Sequence, residues 1–347
     1  MSLISNVTNV SGMKRGWKIL LLMSLFFVEV SAQKSPQFSQ YVEYQSAINP
    51  AAVAVDDMMS VGGIYRLQWI GFKGAPKDLL FSIAYPFKVG DTNHGVGLIF
   101  SSDDIGLFKN QSVLLQYSYK FNLPTGSLSL GLNVGFISQT VDKESVDLTG
   151  GAGELMEGDE YHQASDPFID GFTAEGYSDV AFDASFGCMY RTDVSFVGLS
   201  VQHLTASAVE LGADNYQLYI PRSYHLFGGY TFETHNPQWT VTPAAYVKTD
   251  LSTWQAEVTG LLEYSKRVRG GISYRFGDSF VFLFGIDIIQ GLHLGYSYDL
   301  PTSKMIRSGG SHEVSLRYCF KPQFTKKINI RVREFYRVNN KMIKIIK

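Results

Sequence analysis

Seven histidines, at positions 94, 162, 203, 225, 235, 293 and 312, are the side chains best suited to proton transfer near neutral pH. None forms His-Glu-x-x-His, and no Gly-x-Ser-x-Gly elbow is present. His293, Asp299 and Ser311 carry the residue types of a hydrolytic set that a folded interior could assemble, although a wet structural hydrogen-bond set uses the same groups. Gly95-Val96-Gly97 and the Gly131 to Gly135 cluster open no helix, so no dinucleotide fingerprint is assigned. Cys188 and Cys319 are the only cysteines, which excludes a disulfide scaffold and a cysteine-built zinc site. The stretch Asp142 to Asp179 holds eleven acids against Lys143 alone. That density suits calcium, but the spacing is not that of an EF-hand, and the stretch reads as a solvated loop. No catalytic residue, metal or cofactor is assigned.

Two segments carry binding chemistry instead. Pro36 to Ala51 sets Phe38, Tyr41 and Tyr44 among amides that include Gln40, and ends in the turn-forming Asn49-Pro50. It would either plug an interior or dock a partner. Lys321 to Lys347 holds nine Lys or Arg residues, with Lys326, Lys327, Arg331 and Arg333 at its centre, against Glu334 alone, a net charge of +8. It reads as no strand, and would be either a solvated tail or a contact for an acidic surface or anionic lipid, weakening with salt. A further connection, Leu204 to Pro221, is expected to be an external contact surface.

The elements that position these groups follow from composition and period. The chain has 347 residues, 45% apolar and 18% charged, with 48 aromatic rings in all, so it folds rather than remaining disordered. Its net charge of -2 excludes a general nucleic-acid binder. From Met13, read as the natural start, Lys14, Arg15 and Lys18 precede the apolar run Ile19 to Val28 and then Val30-Ser31-Ala32. This is a signal peptide, residues 1–32, with cleavage expected after Ala32.

Beyond it the apolar period is two. Leu292, Leu294, Tyr296, Tyr298 and Leu300 alternate with His293, Gly295, Ser297 and Asp299. Fourteen such runs are expected: Met58 to Gln68, Leu79 to Phe87, Gly95 to Asp103, Ser112 to Phe121, Gly126 to Val141, Val180 to Arg191, Ser195 to His203, Arg222 to Phe232, Trp239 to Val247, Thr253 to Tyr264, Arg267 to Phe276, Ser279 to Ile289, Gly291 to Leu300 and His312 to Phe320. Cys188 and Cys319 fall on opposite faces.

Alternation alone does not separate a soluble sandwich from a membrane barrel. Three features select lipid. The less apolar face is Gly, Ser, Asn and isolated charges rather than a dense Lys and Glu coat. Aromatics end the even-numbered strands, as in Tyr85 and Phe87, Tyr119 and Phe121, Tyr190, Tyr230 and Phe232, Tyr264, and Tyr318 and Phe320, which is one interfacial girdle. Connections after odd strands total roughly 92 residues and after even strands roughly 23. The expected fold is an all-β, single-domain, antiparallel up-and-down transmembrane barrel of about 14 strands. It occupies residues 58–320, with residues 33–57 as a periplasmic lead-in and 321–347 as a basic periplasmic tail. Both termini would be periplasmic and the acidic loop external.

Pro36-Gln37-Phe38-Ser39-Gln40-Tyr41 followed by Asn49-Pro50-Ala51 resembles the opening of the PorP/SprF family of Bacteroidetes outer-membrane proteins. Tyr65-Arg66, Gln68-Trp69, Asp104-Ile105-Gly106, Gly295-Tyr296-Ser297-Tyr298-Asp299 and Gly309-Gly310-Ser311-His312-Glu313 are similar to its later blocks, in order. The resemblance implies a non-enzymatic component of type IX secretion and gliding motility. It would dock periplasmic ring proteins of that machine, attach secreted adhesins at the cell surface, or do both. Phe38, Gln40, Tyr41, Asn49, Pro50, Lys326, Lys327, Arg331 and Arg333 are the candidate partner-binding residues. A channel for small or hydrophobic solutes is the competing reading, and an outer-membrane hydrolase a third.

Overall fold

The structure, a computed structural model, describes residues 36–53, 57–72, 74–106, 108–141, 177–211, 216–321, 335–338 and 341–344. The expected signal peptide, most of the acidic loop and Lys326, Lys327, Arg331 and Arg333 lie outside the described residues.

Alternating side chains dictate extended backbone, and fourteen strands form. They are β1 Met59–Leu67, β2 Lys77–Val89, β3 Thr92–Ile105, β4 Phe108–Leu123, β5 Gly126–Val141, β6 Tyr177–Arg191 and β7 Ser195–Gln202. The second half is β8 Ser223–Tyr230, β9 Trp239–Thr249, β10 Trp254–Tyr264, β11 Val268–Arg275, β12 Ser279–Ile289, β13 Leu292–Pro301 and β14 Ser311–Phe320. Each pairs antiparallel with the next in sequence, and β1 pairs with β14 from Met59↔Phe320 to Leu67↔His312. The sheet therefore closes. Hydrocarbon offers backbone N–H and C=O groups no partner, so a sheet within it must leave no edge.

The side chains are sorted inside out. Leu115, Phe136, Val180 and Ile272 point outward and are about 60% exposed, whereas Arg66, Asp103, Glu257, Arg275, Asp299 and Glu313 point inward and are buried. On the outer face, rings at the short-connection end touch one another, with centroid distances of 4.4 Å for Tyr119–Phe121, 4.4 Å for Tyr230–Phe232 and 4.6 Å for Trp239–Tyr264. These rings form the girdle expected from sequence. Connections after even strands span at most eight residues, whereas 142–176 and 203–222 both follow odd strands.

Pro243 lies inside β9, where a missing N–H should break a ladder. The β8–β9 pairing indeed runs only to Gly229↔Ala244 and resumes, in the same register, at Phe232↔Val241. Thr231 Oγ1 and Thr242 Oγ1 bridge the interval at 3.0 Å.

Two segments differ from the sequence reading. Within Leu204 to Pro221, Ala208–Leu211 and Tyr216–Tyr219 form a hairpin. Val209 of the hairpin and Ile220 just after it pack on the inward Ile137, Val141 and Ala181. It is thus more than an external loop, because its apolar side has a wall to cover. In the basic tail, read as free of strands, Phe335–Val338 pairs with Lys341–Lys344. Charge dominated that reading, and the β-prone Phe335, Tyr336, Val338 and Ile343 were outweighed.

Leu115→Arg puts a charge into the lipid-facing band and is expected to cost about 2–4 kcal/mol if Leu115 lies near the midplane. Urea unfolding from lipid vesicles measures this; an unchanged midpoint would mean that this face does not meet hydrocarbon.

Candidate functional site

A closed ring of fourteen strands encloses a lumen, and here the chain fills it with its own amino-terminal segment. Pro36–Val53 contains one short helix, α1 (Gln45–Ile48), and a 3₁₀ turn at Pro50–Ala52. The sequence reading set residues 33–57 apart as a periplasmic lead-in; its described part lies inside the barrel. The plug begins toward the long-connection end, where Gln37 Nε2 donates to Glu257 Oε2 at 2.9 Å. It descends to Glu43 at the short-connection end, rises to Asn49 and descends again to Asp57, which pairs with Lys120 at 3.3 Å.

Apolar contacts seat the plug on two sides. Tyr41 and Ala51 pack with Met189, Phe196, Phe227 and Tyr246, while Tyr44 packs with Ile64, Leu80 and Ile99, joined by Phe38 and Ala47. Burial pushes both tyrosine hydroxyls far above their ordinary range, so they stay neutral. Tyr41 Oη pairs with Thr259 Oγ1 at 3.1 Å, and Tyr44 Oη donates to the Gly63 and Leu316 carbonyls.

The Asn49-Pro50-Ala51 turn enters a hollow that only glycine leaves open. A Cβ at Gly131 would strike Ala51, and one at Gly187 would strike Asn49. Asn49 Nδ2 donates to the Cys188 and Leu199 carbonyls at 2.9 and 3.3 Å, while its Oδ1 accepts from Ala51 N and caps the 3₁₀ turn.

Around Ser39 and Gln40 the plug meets a buried ion cluster. Arg66 on β1 reaches Asp299 at 2.7 Å and Glu313 at 3.1 Å, and Arg275 on β11 reaches Glu257 at 2.9 Å and Asp299 at 3.0 Å. All five side chains are at most 3% exposed. Ser39 Oγ accepts from both guanidiniums and donates to Asp299. The backbone N–H groups of Ser39 and Gln40 donate to the two Glu313 oxygens at 2.9 and 3.0 Å. Two guanidiniums face three buried carboxylates in this cluster, an excess of one negative charge, and the plug backbone N–H groups complete the hydrogen bonding of Glu313.

A second cluster pins the lower end. Glu43 pairs with Arg269 at 2.8 Å and with His293 Nε2 at 2.8 Å; Asp287 holds His293 Nδ1 at 2.7 Å, and Glu263 holds Arg269 at 2.5 Å. Burial alone would raise the Glu43 carboxyl, but the His293 hydrogen bond and the Arg269 and Arg317 charges outweigh it and hold the group down to about 2.

Of the sequence candidates, Gln40, Tyr41, Asn49 and Pro50 come together as fully buried plug residues, and Phe38 is half-buried against the wall. Their side chains engage the barrel. The hydrolytic trio does not assemble: Asp299 and Ser311 are cross-strand neighbours, but Ser311 Oγ accepts from Trp69 N, and Asp299 is held by two arginines. His293 lies six residues down β13, about 20 Å away. No metal-holding group of acids, histidines and cysteines occurs among the described residues. No disulfide joins Cys188 to Cys319. Glu257, Arg275 and Glu313 were missed as site residues; the available signal was isolated charge on the glycine- and serine-rich strand faces.

A closed, girdled, fourteen-strand barrel with a polar, plugged interior defines an integral outer-membrane protein. The family described as type IX secretion system membrane protein PorP/SprF matches residues 30–318, most of the chain, and the chain belongs to it. No curated protein matches. Among solved structures the chain is similar to the CymD monoaromatic hydrocarbon channel (TM-score 0.45, 11% identity, covering 80% of this chain and 92% of that one). It is also similar to the Ralstonia pickettii toluene transporter TbuX (0.44, 11%, 78% and 92%) and to Acinetobacter baumannii Omp33 (0.42, 8%, 76% and 97%).

Arg66→Leu strips Asp299 and Glu313 of their shared cation and is expected to cost about 3–5 kcal/mol, read by thermal unfolding in detergent. The Glu43 contribution, with its folded value below the usual 4.5, is complete above about pH 4.5 and lost as pH falls toward 2. Stability measured from pH 5 down to pH 2 should therefore fall less steeply in Glu43→Gln than in the native chain.

Proposed function

We propose that this barrel is a non-enzymatic docking component of type IX secretion. It engages periplasmic ring proteins of the machine, holds secreted adhesins at the cell surface, or does both. Family membership supports the secretion role. The single observation that carries docking over transport is the filled lumen: a segment of this same chain occupies the path a solute would take, with buried ions and apolar contacts along it. In this reading the short-connection end, where Met59 and Phe320 pair, faces the periplasm, and the acidic loop faces outward. The periplasmic assignment is made for these two ends of the barrel; Gln37 lies toward the other mouth. The basic tail, which follows Phe320, then extends a periplasmic surface suited to an acidic partner. Phe38, Gln40, Tyr41, Asn49 and Pro50 serve that function by closing the barrel rather than by contacting the partner.

Deleting the gene should abolish export or surface display of specific large proteins while leaving small-solute uptake unchanged, and gentle detergent extraction should recover the barrel with a ring protein or an adhesin. Normal secretion together with lost uptake of a hydrophobic solute would favour a channel instead.

A further inference from the structure

Beneath the plug, at the short-connection mouth, lies a cavity of about 290 Å³. Strand ends supply its walls, among them Thr231, Thr242, Arg269 and Arg317, and Glu43 and Ser46 of the plug line it from above. That volume is at the small end of ligand pockets, enough for a short stretch of chain.

Arg317 sets the chemistry. Its Nη1 donates to the Glu43 carbonyl at 2.8 Å, and its guanidinium stands 5.8 Å from the centroid of the Tyr44 ring. Its Nε is buried without a hydrogen-bond partner. The guanidinium is therefore held in place with Nη2, which makes no hydrogen bond, left to meet a carboxylate in a charge-assisted contact. Arg269, by contrast, is already matched by Glu43 and Glu263.

The surroundings narrow the ligand further. Arg191, Arg269 and Arg317 face Glu43, Asp193 and Glu263 around this mouth, so its charges balance: a multiply charged phosphate meets no net positive field, whereas a single carboxylate needs only the Arg317 contact. Hydroxyls of Ser60, Thr231, Thr240 and Thr242 offer both donors and acceptors, as the N–H and C=O groups of an extended peptide require. We propose that this mouth is a receptor pocket for an extended peptide segment bearing one carboxylate, presented by a partner on that side of the membrane. The proposal rests on the docking reading above and supplies the contact that it leaves open. Binding places the carboxylate on Arg317 and the peptide backbone along the hydroxyl-lined wall.

The test uses the full-length barrel in mild detergent and a fluorescent peptide of Thr and Gly residues with one central Glu, compared with its Gln counterpart. The Glu peptide should bind, weaken as salt rises, and exceed the Gln peptide by about tenfold or more, the effect of one charge-assisted contact. Arg317→Gln should erase that preference, and Thr242→Trp, which fills the mouth without touching the charge, should weaken both peptides. Equal binding of the two peptides, or a preference that survives in folded Arg317→Gln, overturns the proposal. Should Arg317→Gln fail to fold, undiminished binding by Thr242→Trp overturns it equally. Loss of secretion on deletion without peptide binding sinks the pocket alone, while peptide binding with normal secretion sinks the docking reading and leaves the pocket standing.

Discussion

Satisfying the backbone in a solvent that cannot hydrogen-bond is the constraint on which everything else in this protein depends. It forces the sheet to close, and closure of fourteen strands creates an interior that must contain something. In this chain the content is covalently attached. Outward positions are left with the single task of being greasy, and inward positions are free to carry Arg, Asp and Glu, which the lumen holds in pairs.

The plug and the wall are energetically one object. A buried ion pair is seldom a net source of stability, because desolvation offsets attraction. What the Arg66–Asp299–Glu313–Arg275–Glu257 cluster contributes is position. Glu313 has both oxygens occupied only when the Ser39 and Gln40 backbone lies where it does, and Ser39 Oγ has all three of its partners only between the two guanidiniums. An empty lumen would strand these groups, so the wall selects the plug's register as strictly as glycines 131 and 187 select its turn.

Much of this was legible from sequence, for identifiable reasons. Every strand expected from the period-two alternation is present, and Gly126 to Val141 and Ser279 to Ile289 match end to end. Lipid and lumen impose opposite demands on successive residues, which leaves a strong alternating trace. The girdle was readable because rings recur at one end of alternate strands. The ion cluster was not readable: Arg66, Glu257, Arg275, Asp299 and Glu313 span 247 residues from Arg66 to Glu313, and only barrel closure brings them together. Nothing local marks Arg275 as different from Arg269 six residues earlier on the same strand, yet one belongs to the upper cluster and the other to the lower.

The family blocks acquire a physical meaning once the barrel is closed. Ser39-Gln40, Arg66, Asp299 and Glu313 come from four of the blocks that carried the resemblance, and they meet at one point in the lumen. Trp69 joins them through Ser311 Oγ, and Ile70 is tied by its backbone to Gly309 and Gly310. The blocks therefore encode a sealed interior rather than an external contact surface. A barrel specified to be sealed offers a partner only its rims and loops. In the docking reading, the residues that distinguish one partner from another therefore lie outside the blocks, in the connections and around the two mouths.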